Sequence, residues 1–424
     1  MTASTHPVPG GAAWLREQER RLVGFATGAA VPDGFGFLDA KGAVESERPT
    51  ATWITARMTY VFSLAHLRGV FGAAELIDHG LSALSGTLRD ADLGGWFDEV
   101  PEGGDPQTLR ERSQKLPEKS AYPHSFVVLA AATAAHAGRP GARALLDEAL
   151  GVIEERFWEP EAECVREGWD ADWTTTESYR GANSAMHCVE AFLAAADVTG
   201  DVRWTRRALA IAQRLIHGVA ADHAWRLPEH FTPDWEPLPD YNRDRPDHPF
   251  RPFGSTTGHL LEWARLLVHL EIALERAGDP VPEWLLTDAE LLFANAVRRG
   301  WNVDGAEGFV YTLDWQDRPV VRQRMHWVVA EAAMAAWVLA RRTGEEGYTE
   351  HLNRWWAYAD RHHVDRESGS WWHELDPANR PSDSVWSGKP DVYHAYQAVL
   401  LPQIGLSTSI AAALPAEGSE GGAA

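Results

Sequence analysis

Cysteine is nearly absent: 424 residues hold only Cys164 and Cys188, too few for a disulfide framework or a cysteine-based metal site. A reducing compartment is the simple expectation. Positive charge is scarce as well, with 39 Lys and Arg against 61 Asp and Glu, and a net charge of −22 repels phosphate backbones and anionic lipid. Nucleic acid is therefore not an expected partner. No apolar run approaches the roughly 20 residues of a spanning helix, and stretches such as 125–135 stop well short. The opening MTASTHPVPGG has no basic stretch leading into an apolar one, so neither a secretory signal nor a membrane partner is expected, and the cytoplasm is the expected location. There is no H-E-x-x-H, and the adjacent His362 and His363 point to different helix faces, so no metal is expected. A Gly-rich phosphate loop is missing too, which sets nucleotide cofactors aside. No Pro/Gly/Ser-rich linker divides the chain.

What is present in excess is Trp, 20 residues, and His, 18. The flat apolar face of Trp suits the C–H face of a sugar, although a wide helical core would also absorb it. Helical periodicity dominates, with twelve segments at about 12–26, 51–69, 71–89, 120–138, 141–156, 178–199, 202–218, 255–277, 283–299, 323–343, 346–362 and 391–405. They pair across long links rich in Gly, Trp and Asp: GGWFDEVPEGGD (94–105), REGWDADWTT (166–175), WNVDGAEGFVYTLDW (301–315) and GSWWHELDPAN (369–379). Between pairs the links are short. The last dozen residues, ALPAEGSEGGAA, have a disordered composition, so 1–11 and 406–424 are expected to be flexible around one domain at 12–405.

Each long link leads into a helix whose early part carries a polar residue in an Ala/Leu-rich surround: Arg57, His124, His187, His259, His326 and His394. Their successive separations are 67, 63, 72, 67 and 68 residues. A lone His in a helix is usually a satisfied core residue, but six residues in phase define an internal repeat. Six helical hairpins predict an all-α fold, an (α/α)6 barrel in which the second helix of each pair lines the inside. The long loops and the in-phase side chains then gather at one mouth.

The chemistry of those positions is acid–base. His259 follows Ser255 and Thr256, both cap candidates, and shares a helix face with Glu262, which could orient its imidazole. His187 and Glu190 repeat the spacing, with Asn183 one turn earlier, though Glu190 reads as solvent-facing. His394 lies near a helix start after Pro390 and Asp391, where the positive dipole end favours neutral imidazole and hence a base.

The runs TARMTYVFSLA (55–65), GANSAMH (181–187), GHLLEWARLL (258–267) and GSWWHELD with WSGKPDVYHAYQA (386–398) closely resemble the N-acylglucosamine 2-epimerase superfamily. Within it they are most similar to the branch of D-mannose isomerases and sulfoquinovose isomerases, over about residues 12–405. The resemblance implies an aldose–ketose isomerase working without cofactor or metal on a monosaccharide. Its essential pair falls on His259 and His394, with Arg57, Tyr122, Asn183, His187, Glu262 and Glu331 around the sugar. Trp53, Trp327 and Trp386 are the implied stacking aromatics, and His373 a piece of the pocket wall. The implied route is a cis-enediol: His394 moves the proton between C2 and C1, His259 held by Glu262 helps open the pyranose, and Arg57 steadies the developing oxyanion. Mannose to fructose is the leading reaction, with lyxose to xylulose beside it. A sulfonated sugar would draw on Lys389 or Arg243, and a mannose/glucose 2-epimerase could use the same two imidazoles. A glycoside hydrolase or lyase would need two flanking carboxylates, and a non-enzymatic scaffold would not need a buried polar series. The outer helices show no apolar stripe that would set an oligomeric state.

Overall fold

The computed structural model describes residues 7–101 and 118–416. The expected flexible ends at 1–6 and 417–424, and residues 102–105 of the first long link, lie outside them. Among the described residues, twelve α-helices form two concentric rings. The inner ring is α2 (Thr52–Leu67), α4 (Ala121–His136), α6 (Ala182–Thr199), α8 (Thr257–Ala277), α10 (His326–Thr343) and α12 (Tyr393–Leu400). The outer ring is α1 (Ala12–Ala26), α3 (Ala73–Ser85), α5 (Ala142–Val152), α7 (Val202–Ala212), α9 (Trp284–Gly300) and α11 (Glu346–His362). Each inner helix packs on the next inner helix and on the outer helix that follows it, and α1 packs on α12 to close the circle. This is the (α/α)6 barrel that the 67-residue phase predicts.

Sequence chemistry explains which helix goes where. The inner helices are rich in Ala and apolar on every side, as in α4, where Ala and Val fill the turns between His124 and His136, and they are buried nearly throughout. Outer helices carry a single buried stripe; in α7 it is Trp204, Thr205, Ala208, Ile211 and Ala212.

Two-residue antiparallel ladders tie the mouth together. Residues 50–51 pair with 99–100, 119–120 with 168–169, 180–181 with 230–231, 255–256 with 312–313, and 324–325 with 374–375. Beside each ladder, the first N–H of an inner helix donates to a long-loop carbonyl: Thr52 to Asp98 (3.0 Å), Ala121 to Glu167 (2.8 Å), Ala182 to Glu229 (3.0 Å), Thr257 to Tyr311 (3.1 Å) and His326 to His373 (2.9 Å). The expected side-chain caps Ser255 and Thr256 are thus replaced by a ladder, because the loop backbone already satisfies the first turn.

The far end of the barrel is covered by the C-terminal segment, whose residues 406–414 are packed rather than loose. His269 Nδ1 donates to the Ser407 carbonyl (2.6 Å) and His136 Nε2 to that of Leu414 (3.0 Å). Thr408 and Ser409 donate to Asp197, and Ile410 and Leu414 are buried.

Candidate active site

The inner helices point their first two turns into a cavity of about 690 Å³ at the loop-bearing mouth. Trp53 and Arg57 come from α2, Tyr122 from α4, Asn183 and His187 from α6, His259 and Glu262 from α8, Trp327 from α10 and His394 from α12. Long loops add Pro249, Phe250, Tyr311, His373, Trp386 and Asp391. Ten of the eleven residues named from the sequence therefore share one wall.

His259 and His394 both lie against Trp327, with ring centroids 5.2 Å and 5.6 Å from the indole. Trp327 can lie there because residue 258 is Gly; a Cβ would come within 2.3 Å of its ring. Each imidazole is held by a glutamate at Nδ1: His394 donates to Glu331 Oε1 (2.9 Å) and His259 to Glu229 Oε2 (2.9 Å). Nε2 is left to meet a ligand in both rings.

Three expectations change here. Glu331, fully buried, stands behind His394 instead of beside the sugar. Glu229 rather than Glu262 holds His259, since Glu262 lies nearer His187 (3.8 Å) and Arg265 (3.5 Å). Glu190 is buried, not solvent-facing: it accepts from Tyr393 and lies 3.5 Å from Arg265. Neither Glu229 nor Arg265 was found from the sequence. Arg265 follows Glu262 by three residues on the same helix face, a signal that could have found it; Glu229 sits in a loop with no periodicity to mark it.

His124, in phase with the others, leaves the pocket. Its Nδ1 donates to the Ser120 carbonyl (2.6 Å) and its Nε2 accepts from Trp96 N–H (3.0 Å), so it braces the first long loop. Tyr122, two residues earlier and about 200° around the helix, faces the cavity instead and accepts from Arg57 (2.8 Å). Arg57 also pairs with Asp391 (3.2 Å) and lies over Phe126 and Tyr393. His326 reaches the pocket as its phase predicts and stacks on His373 at 3.7 Å.

Burial favours the neutral form of His187, His326, His373 and His394. His394 is pushed well below the ordinary value by burial and then by the Arg57 charge, and His187 and His373 fall to about 4, mainly by burial. Glu262 moves the other way, because burial and the neighbouring Glu331 both oppose its charge. Asp391 is held below the usual carboxylate range: burial disfavours its charge, but Arg57, His373, the Tyr393 N–H and His394 together more than offset this.

Two groups of ligand-type atoms gather within 4.8 Å, His187–Glu190–Glu262 and Glu262–Glu331–His394. The Arg265 guanidinium already stands among these three carboxylates, at 3.5 Å from Glu190 and Glu262 and 2.9 Å from Glu331. A protein cation thus supplies the neutralising charge that a metal ion would bring.

The sequence model of the family described as N-acylglucosamine 2-epimerase (GlcNAc 2-epimerase) matches residues 34–398. The chain belongs to this family. Among relatives of the N-acylglucosamine 2-epimerase family, a D-mannose isomerase of Thermobifida fusca is 58% identical over 408 residues, covering 96% of this chain and 97% of its own. A D-mannose isomerase of Pseudomonas cannabina pv. alisalensis is 52% identical over 401 residues, covering 95% and 94%. A crystal structure of a D-mannose isomerase superposes with a TM-score of 0.84 at 26% identity, over 93% of this chain and 98% of the other. Family membership and architecture therefore agree with the repeat read from the sequence.

Proposed function

We propose that the protein is an aldose–ketose isomerase converting D-mannose to D-fructose, with D-lyxose to D-xylulose as a lesser reaction. The observation that carries this is the pair of glutamate-held imidazoles flanking one sugar-sized cavity, and relatives named D-mannose isomerase at 58% and 52% identity support the substrate.

In this reading the open-chain aldose lies between His259 and His394. Neutral His394 takes the C2 proton at Nε2 while Nδ1–H stays on Glu331; the C2 electron pair forms C1=C2, the carbonyl pair passes to O1, and O1 takes a proton from His259 to give the cis-enediol. The same imidazolium returns the proton to C1 on the same face while His259 takes the O2 proton back, giving the ketose. Arg57, fixed by Asp391 and Tyr122, faces the oxygen that gains charge. His259 serves the earlier step, moving a proton between the ring oxygen and O1 so that the C1–O5 bond opens. Glu262, which lines the cavity and whose Oε2 has no protein partner among the described residues, offers that oxygen to a sugar hydroxyl. Trp327 and Trp386 supply apolar faces for the C–H groups.

The cations considered for a sulfonate are engaged elsewhere. Lys389 is fully buried on Asp365 (2.5 Å) and the Gly369 carbonyl (2.9 Å), and Arg243 pairs with Asp240 on the surface. Neither lines the cavity, so neither supports a sulfosugar over a neutral hexose. Incubation with D-mannose in D₂O followed by NMR tests the assignment. Fructose is expected; glucose without fructose would make the protein an epimerase, and turnover of sulfoquinovose but not mannose would move it to the sulfosugar class.

A further inference from the structure

Three carboxylates occupy one repeat position at the barrel mouth: Asp98, Glu167 and Glu229. In each, the backbone carbonyl receives the first N–H of one inner helix, at Thr52, Ala121 and Ala182 respectively, while the side chain reaches the start of the next. Asp98 accepts from Ser120 N (2.7 Å), Glu167 from Ser184 Oγ (2.8 Å) and Glu229 from Thr256 N (3.3 Å). The shared job is to tie adjacent inner helices together. Glu229 alone of the three adds a histidine, His259 Nδ1 at 2.9 Å, and spends its other oxygen on the tie.

We propose that Glu229 is the positioning residue of the His259 imidazole, a helix tie turned into one half of a carboxylate–histidine dyad. It fixes the Nδ1–H tautomer and favours the imidazolium that forms when Nε2 accepts a proton. The two dyads of the pocket are then unequal. Glu331 divides its charge between His394 and Arg265, whose Nε lies at 2.9 Å, whereas Glu229 has no arginine or lysine in ion-pair contact among the described residues. Among the ion pairs of the described residues, its charge meets His259 alone. His259 is accordingly the imidazole built to hold a proton for a time, which ring opening requires, and His394 the one built to return promptly to its neutral form. The other titratable groups around the dyad are His187 from α6, His230 from the adjoining loop, and the phenols Tyr179 and Tyr311. Burial lowers both histidines and raises both phenols, so all four are neutral near pH 7 and leave Glu229 as the charged partner.

This inference rests on His259 being a proton carrier, and Glu229→Gln tests it with D-mannose as the probe. The amide oxygen still accepts from Thr256 N–H, so the tie survives while the charge is lost. The purified variant is expected to melt close to the wild type, to lose about 10²–10⁴-fold in kcat with KM changed by less than about threefold, and to shift the His259 limb of its kcat pH profile to lower pH. Glu167→Gln, the same tie without a histidine, is the control and should leave kcat and the pH profile unaltered. Wild-type kcat in folded Glu229→Gln would overturn the proposal, and so would a lower kcat with an unmoved pH limb, since that is what a structural role alone gives. If Glu229→Gln does not fold, Glu229→Asp is read for the same limb: the charge is kept but the reach is shorter, so kcat falls while the limb moves less than one pH unit; an unchanged kcat overturns the proposal. His259→Ala separates the two levels. Full turnover there removes the catalytic reading of His259, whereas an inactive His259→Ala beside a fully active Glu229→Gln removes only the role given to Glu229.

Discussion

Replacing Arg265 with methionine takes away the guanidinium that reaches Glu190, Glu262 and Glu331 together. The side chain is 1% exposed, and methionine comes close to its volume, so electrostatics and not a cavity decides the outcome. Removing one partner of a buried ionic cluster costs about 3–5 kcal/mol. A chain of 424 residues unfolds with an entropy of about 0.9 kcal/mol/K at 2.1 cal/mol/K per residue, so the melting temperature should drop by roughly 3–6 °C. The drop must also depend on pH. Without Arg265, burial raises the folded-state pKa of Glu190 and Glu331 above that of the unfolded chain. Such groups stabilise below the unfolded value and lose that contribution as pH rises through the folded one. The deficit against wild type should therefore be larger at pH 8 than at pH 5.5. Thermal melts followed by circular dichroism at the two pH values measure both effects. A variant as stable as the wild type at pH 8, or a deficit indifferent to pH, would refute the reading of this cluster as a charge-compensated core.

Further outcomes follow from the same geometry. His394→Ala should fold normally and lose about 10²–10⁴-fold in kcat, read by fructose formation in the NMR assay; near-wild-type turnover would remove its role as base. Trp386→Ala, at the pocket rim against Phe250, should raise KM by roughly 2–12-fold, the equivalent of an aromatic contact of about 0.5–1.5 kcal/mol, with kcat little changed. Because burial holds His394 below the ordinary histidine range, the acid limb of kcat/KM should lie below about pH 6.5, activity being lost only as pH falls through the depressed value. His187, His269, His363 and His373 are each lowered to about 4 by burial. Between about 6.5 and 4 the unfolded chain binds protons that the folded chain does not, so stability should fall with decreasing pH by about 1.4 kcal/mol per unit for each group. Melts at pH 7 and pH 5 check this. Lys389→Met should lower the melting temperature and leave KM for mannose unchanged; a raised KM would return that lysine to the pocket.

Repetition made the fold readable. A helix such as α1 announces both ends, and its expected span of 12–26 is the observed one, while the recurrence of a polar residue every 63–72 positions gives the ring its count. Phase does not specify angle, however. His124 and Tyr122 both satisfy the period, and only rotation about the α4 axis decides that the tyrosine meets the sugar pocket and the histidine meets Trp96. Glu262 illustrates a second limit: i,i+3 spacing brings it to the right helix face beside His259, but the actual partner, Glu229, is 30 residues away in a stretch whose backbone is set by a two-residue ladder too short to leave an alternating pattern. Lys389 looked available because its neighbours Gly388 and Pro390 suggest a loop; its burial depends on Asp365, which arrives from the preceding loop.

The ring is sealed by helices from opposite ends of the chain. α1 lies against α12; Gln403, just beyond α12, reaches Glu19 (3.0 Å), and Trp14 donates to Asp360 on α11 (2.7 Å). During synthesis the first five inner walls emerge as an open arc, its edges unpartnered, and the wall that carries His394 is the last to be made. Shape and chemistry are thus completed together. A chain lacking the final 35 or so residues would own four of the five pocket histidines but not His394, and under the role proposed for His394 it would turn over no sugar.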